Sequence, residues 1–317
     1  MSAAGPSQGA NCAPQGQRSR APGERGVHTS ASLVRGVAER FAAFDCEGDT
    51  CIGVIAAAVD RTTDRRTGVV IIVGGPQYRV GSHRQFVLLA RALASAGIPA
   101  IRFDYRGMGD SDGEPRNFER VDADIEGAVA ALVRETGVAN VVLWGLCDGA
   151  SAALIYAAKD PRIAGVVALN PWARSAQIAA ATRVRHYYVR RLFSGQFWRK
   201  ALTGGVGIRR GAGELAASLR GALGDRSRSG DDYLRRMQEG WTRFRRPVLF
   251  VLSGHDFTAR EFEAWVAQDN ARKALLQQSN ADIYRSDAAD HTFSDARSRD
   301  AVTTRTIEWI RRLPAAC

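Results

Sequence analysis

The stretch NVVLWGLCDGAS, residues 140 to 151, decides how this chain is read. Four apolar residues, Val141 to Trp144, lead into Gly145. Gly145, Cys147 and Gly149 then have the spacing glycine–x–nucleophile–x–glycine. A helix-compatible run of small residues follows. A strand that turns sharply into a helix strains the backbone at the middle residue and brings the two elements close together. Glycines on either side then have a physical reason to lack side chains, and Ala150, Ala152 and Ala153 suit the same close approach. The middle residue is cysteine, where serine is the more familiar occupant. Alone, the motif does not separate a reactive thiol from a core cysteine in an ordinary turn.

On either side, short apolar runs alternate with helical patterns. Residues 40–44 and 51–58 read as two strands around the turn Glu47-Gly48-Asp49. Residues 68–73 are continuous, β-branched and closed by Gly74-Gly75, the mark of a buried strand. Residues 84–96 form an amphipathic pattern stopped by Gly97. A strand over 99–103, a helix over 118–135, the strand 140–144, a helix over 149–158 and a strand over 163–169 follow. After an interruption come strand 248–252, helix 259–268, strand 281–286 and helix 301–312. This alternation predicts an α/β protein: a mostly parallel, doubly wound sheet with helices on both faces.

Composition sets the bounds. The chain has 317 residues, 45% of them apolar, enough for a substantial core. Residues 1–36 are rich in Gly, Ala, Pro, Ser and Gln and lack a hydrophobic signal region, so a disordered tail is expected there. The core is then expected over 37–171 and 246–317, with 172–245 as an inserted helical cap. No run approaches the ~18 apolar residues of a membrane span. The five cysteines, at 12, 46, 51, 147 and 317, show no metal-ligand or C-x-x-C spacing. Their scatter points to free thiols in a reducing, cytoplasmic setting.

The formal charge of +11 is concentrated in residues 172–245, which hold 15 Arg and one Lys against five acidic residues. Attraction of an anionic substrate or an acidic membrane surface is expected, with Arg190 and Arg191 as substrate contacts. A solvated helical face is the plain alternative. Nucleic acid is not expected, since no recognition motif accompanies the charge.

A thiol nucleophile needs a base, and the base needs an orienting group. On a sheet with such a strand–turn–helix nucleophile, the acid and then the histidine follow in the chain. PVLFVLSGHDF supplies Asp256 just after the strand 248–252, and IYRSDAADHTF supplies His291 between the last strand and the last helix. Each lies at a strand's C-terminal end, where ligands bind in such sheets. Asp287 and Asp290 are alternative acids, and Asp256 taken alone also reads as a helix cap. The backbone N–H of Asp148 supplies one oxyanion donor. Pro76 has no N–H, so Gln77 is the expected second donor, with Gly75 the alternative. The Asp148 carboxylate is out of place beside a hole for negative charge, and is expected to turn away and cap the helix. His83, near the oxyanion loop, is a substrate-binding candidate. Ser111, in a loop, is a weak rival nucleophile. This chemistry calls for no metal or cofactor.

FDYRGMGDSDG, residues 103–113, lacks the glycine spacing of a dinucleotide site and resembles a segment typical of the α/β-hydrolase superfamily. Taken with GGPQYRVGSHRQF, GLCDGASAAL and LNPW, it resembles the exosortase A system-associated hydrolase 1 family. The likeness covers roughly residues 40–315 and leaves the tail outside. It implies an α/β-hydrolase fold, a Cys147–Asp256–His291 triad and a place beside bacterial exopolysaccharide synthesis. It names no substrate. A cysteine nucleophile suits esters, thioesters and lactones better than amides, because a thiolate leaves more readily than an alkoxide or amide anion.

Overall fold

The computed structural model describes residues 36–59, 67–75, 77–174 and 227–314. A hairpin opens the fold: β1 (Val37–Cys46) and β2 (Asp49–Ala58) pair antiparallel through the turn at Glu47 and Gly48. β3 (Thr67–Ile72), α1 (Gln85–Ser95), β4 (Ala100–Phe103), α2 (Asp122–Thr136), β5 (Asn140–Leu146), α3 (Asp148–Tyr156) and β6 (Ile163–Leu169) follow. The chain continues with α4 (Ser227–Arg243), β7 (Val248–Ser253), α5 (Phe257–Ala267), α6 (Asn270–Leu276), β8 (Ala281–Ser286) and α7 (Ala296–Arg311).

The eight strands form one sheet in the order β1-β2-β4-β3-β5-β6-β7-β8. β2 meets β4 antiparallel, and every later pairing is parallel. The central strands carry uninterrupted apolar runs because both of their faces are covered. Val69 to Ile72, Val141 to Leu143 and Val248 to Val251 are completely buried. α1 and α7 touch on one face, and α2, α3 and α4 pack in succession on the other. The parallel arrangement sets the C-terminal ends of β3, β5, β6, β7 and β8 along one edge. This is the α/β-hydrolase fold.

Two boundaries follow from local chemistry. The expected helix over 118–135 divides into a short 3₁₀ turn, Phe118–Arg120, capped by the Asn117 side chain, and α2 proper. α7 starts at Ala296 rather than 301, because the Asp295 carboxylate caps it by accepting the Ser298 N–H at 2.9 Å.

The residues expected to form the cap divide in the same way. α4 packs on α3 and buries Tyr233, Met237 and Trp241, with Tyr233 edge-on to Phe118 and Trp241 against Phe250. Gly240 allows this contact, since a Cβ there would lie 3.0 Å from Ile155 Cα. Residues 175–226, with Arg190 and Arg191, lie outside the described residues, as does the tail 1–35.

Candidate active site

Cys147 occupies the junction of β5 and α3 with φ 60° and ψ −125°. A non-glycine residue there carries strain of roughly 1–3 kcal/mol, which its surroundings must hold. Cys147 N–H donates to Leu169 O at 2.9 Å, and Cys147 O accepts the N–H groups of Ala150 and Trp172 at 3.0 and 3.1 Å. The flanking glycines are obligatory. A Cβ on Gly145 would lie 2.6 Å from Ala150 N, and one on Gly149 would lie 2.6 Å from Ile72 O. The thiol is half-buried at the N-terminus of α3, where the helix favours negative charge.

Asp256 follows β7 directly. Its Oδ1 accepts the Thr258 N–H at 3.0 Å and its Oδ2 the Ala259 N–H at 3.2 Å, so it caps α5. The same Oδ2 lies 2.9 Å from His291 Nδ1. Helix cap and partner of the histidine are therefore one arrangement, since the cap bonds fix the carboxylate that faces the ring. The Asp256 hydrogen bond and then the interaction with the Cys147 thiol push the His291 pKa up to about 10, against the opposing effect of burial, so the ring stands between carboxylate and thiol. Of the alternative acids, Asp287 is exposed, and Asp290 accepts from Thr292 N–H and Ser294 N–H in its own turn.

Asn170 is a contributor that the sequence did not single out beyond its place in LNPW. It is fully buried, with φ 43°. Its Nδ2 donates to Ser253 Oγ at 2.9 Å and to His291 O at 3.1 Å, and its Oδ1 accepts the Ser253 N–H at 2.9 Å. One amide thus joins the end of β6 to the acid's strand and the histidine's loop. Ser151, next to the elbow, is buried with its hydroxyl donated to Trp172 O at 2.8 Å.

FDYRGMGDSDG acts as a brace. Buried Asp104 accepts the Arg79 N–H at 2.6 Å and pairs with the Arg79 guanidinium, fastening the loop after β3 to the loop after β4. Tyr105 donates its hydroxyl to Val73 O at 2.8 Å, and Arg106 pairs with Asp124 at 2.9 Å. Ser111 is engaged on both sides: it accepts the Ile52 N–H at 2.8 Å and donates to Asp104 O at 2.9 Å. It is therefore a structural hydroxyl.

The oxyanion candidates meet beside the elbow. Asp148 does not turn away: its Oδ1 accepts the Gly75 N–H at 2.5 Å. Gln77 lies in the same loop, where its side-chain oxygen accepts the Ser82 N–H at 3.0 Å. His83 is exposed, with φ 52°, on the turn into α1.

Among the described residues, Cys46, Cys51 and Asp124 form the one cluster with metal-ligand spacing. Its chemistry does not suit a cation. Arg106 already bonds both Asp124 oxygens, and burial pushes the two thiols up to about 12 and about 11. The chain also has no helix, among the described residues, long and apolar enough to cross a membrane.

A strained elbow, with a histidine between its thiol and a carboxylate, thus lies at the C-terminal edge of an α/β-hydrolase sheet. The chain belongs to the alpha/beta hydrolase family, whose model matches residues 69–303. Among curated proteins, it is 36% identical over 88 residues to a polyketide transferase, GrgF, of Penicillium, covering 26% of this chain and 30% of that one. It is 30% identical over 118 residues to the quorum-quenching protein AidA of Acinetobacter baumannii, covering 35% and 38%. The matches thus span about a third of those relatives. An esterase of Pyrococcus furiosus shares the fold, with TM-score 0.58 at 15% identity over 87% of this chain and 92% of that one.

Proposed function

We propose that the protein is a cysteine-dependent acyl hydrolase acting on an ester, thioester or lactone. The observation that carries this reading is the Cys147–His291–Asp256 chain of contacts at the elbow. In this mechanism His291 takes the thiol proton as the Cys147 sulfur attacks the acyl carbon, and the oxyanion forms against backbone N–H groups beside the elbow. His291 gives its proton to the leaving group, which departs to leave a thioester. It then takes a proton from water, whose attack frees the acid and restores the thiol. Asp256 holds the ring so that its second nitrogen faces the sulfur and stabilises the imidazolium.

A transferase in which a sugar or other hydroxyl replaces water is the second reading. The short match to a polyketide transferase favours it. The resemblance carried by GGPQYRVGSHRQF, GLCDGASAAL and LNPW supports a cytoplasmic role beside exopolysaccharide synthesis and the exosortase system. The basic stretch that includes Arg190 and Arg191 supports a preference for anionic acyl donors or a peripheral contact with anionic membrane.

A panel of p-nitrophenyl esters, acyl-coenzyme A thioesters and lactones, assayed with and without alcohol acceptors, tests the reading. Hydrolysis in water that vanishes in Cys147→Ala supports the hydrolase. Acyl product formed only with an acceptor supports the transferase. Turnover that survives Cys147→Ala contradicts both.

A further inference from the structure

When Cys147 attacks an acyl carbon, the acyl oxygen needs two N–H donors beside the elbow, and the Asp148 side chain already holds one of them. Its Oδ1 accepts the Gly75 N–H at 2.5 Å. Burial pushes the Asp148 pKa up, and the backbone N–H groups at Gly75, Gly149 and Asp148 pull it back down. Asp148 N–H at the start of α3 and Gly75 N–H, the alternative to Gln77 in the loop after β3, are taken as the donors to a tetrahedral oxyanion. The seat is shaped to its occupant: a Cβ on Gly74 would lie 2.8 Å from Asp148 Oδ1. Tyr105 is buried nearby but gives its hydroxyl to Val73 O, so it leaves the carboxylate to the backbone donors. The carboxylate also senses the charge of His291 across the site.

We propose that Asp148 is an internal occupant of the oxyanion hole, displaced by the acyl oxygen before Cys147 attacks. The inference rests on Cys147 being the nucleophile. A carboxylate oxygen and an oxyanion carry the same charge and require the same N–H groups, so the two exclude one another. On attack the sulfur–carbon bond forms, the carbonyl π pair moves to oxygen, and that oxygen takes the vacated donors. Asp148 rotates out with its charge unchanged, so no further proton or electron is needed. The occupant makes the site selective. Acyl groups that gain enough contact elsewhere in the pocket drive the exchange, whereas small esters do not.

The test compares the full-length protein with Asp148→Ala and Asp148→Asn. Acetylation of Cys147 by p-nitrophenyl acetate is followed by mass spectrometry, and the Gly75 amide by ¹⁵N NMR. Asp148→Ala is expected to acetylate at least about tenfold faster than the native protein, with the neutral Asn variant between them. Millimolar formate, refilling the seat, should slow Asp148→Ala and shift its Gly75 amide, and should do neither in the native protein. Slower acetylation in both variants, with formate restoring the Ala variant, would overturn the proposal, because the carboxylate would then support the hole. A Gly75 amide indifferent to formate in Asp148→Ala would overturn it as well. If Cys147 is acetylated in no form while that amide still responds only in Asp148→Ala, the nucleophile reading fails and the occupied seat stands.

Discussion

Two regions of this molecule hold a thiol close to a carboxylate and a cation, and they are opposites. At the β1–β2 hairpin, Cys46 and Cys51 are buried beside Asp124 and Arg106. The Arg106 guanidinium is committed to Asp124, and burial with the Asp124 charge pushes both thiols far up, to about 12 and about 11. At the elbow, Cys147 is half-buried, heads a helix and stands near a histidine that Asp256 holds ready to carry positive charge. The inventories are nearly the same: sulfur, carboxylate, nitrogen cation. What differs is which pair is satisfied first. A cation locked to its carboxylate leaves the thiols protonated, whereas a histidine shared between carboxylate and thiol can exchange a proton with the sulfur. On the proposed function, burial and partner allegiance, rather than residue type, separate the structural cysteines from the reactive one.

The largest expected effect tests the elbow side of that contrast. Cys147→Ala should lower turnover by more than about 10³-fold, and Cys147→Ser should keep only a trace. Cys46→Ser and Cys51→Ser, each assayed on properly folded protein, should stay near native activity. Activity lost on the hairpin substitutions and kept at the elbow would invert the comparison. Asp256→Asn comes next. It keeps the shape of the α5 cap but no longer holds the imidazolium, and kcat should fall by about 10²–10⁴-fold. The third effect is chemical. Native protein treated with iodoacetamide and mapped by peptide mass should alkylate Cys147 at least about 10²-fold faster than Cys46 or Cys51.

The elbow was legible in the sequence because its demands are local. Gly145 is required by the backbone of Gly149 and Ala150 just beyond it, and although Gly149 makes room for Ile72 O of a distant strand, the spacing of the two glycines around Cys147 is read locally. Less local features escaped. The role of Asn170 depends on three strand ends meeting, and nothing near it in the chain reports that Ser253 and His291 lie within reach. α6 was missed because Asn270–Leu276 is short, with only Leu275 buried. The helix expected over 231–243 within the interruption is present as α4, but its charged face hides the stripe Tyr233, Met237 and Trp241 that packs it onto the core. Asp148 was expected to turn away from the hole. The loop after β3 comes so close to the start of α3 that its Gly75 N–H meets the carboxylate instead.

A smaller effect should show in stability. The His291 pKa is raised in the folded state from 6.5 to about 10, so its favourable contacts contribute fully below about pH 6.5 and are lost as pH rises through about 10. The difference in unfolding free energy between native protein and His291→Gln should therefore be greatest near pH 6 and shrink toward pH 10 in denaturant titrations. A difference that grows with pH would mean that the histidine is held neutral.

The most direct measurement of the central claim locates the acyl group itself. His291→Ala, in which deacylation should be slow, is incubated with p-nitrophenyl acetate, quenched in acid, digested and mapped by mass spectrometry. The acetyl mass is expected on the peptide carrying Cys147, as a thioester that hydroxylamine removes. An acetyl group on Ser111 or Ser151 with Cys147 free, or no adduct despite continued ester hydrolysis, would contradict it.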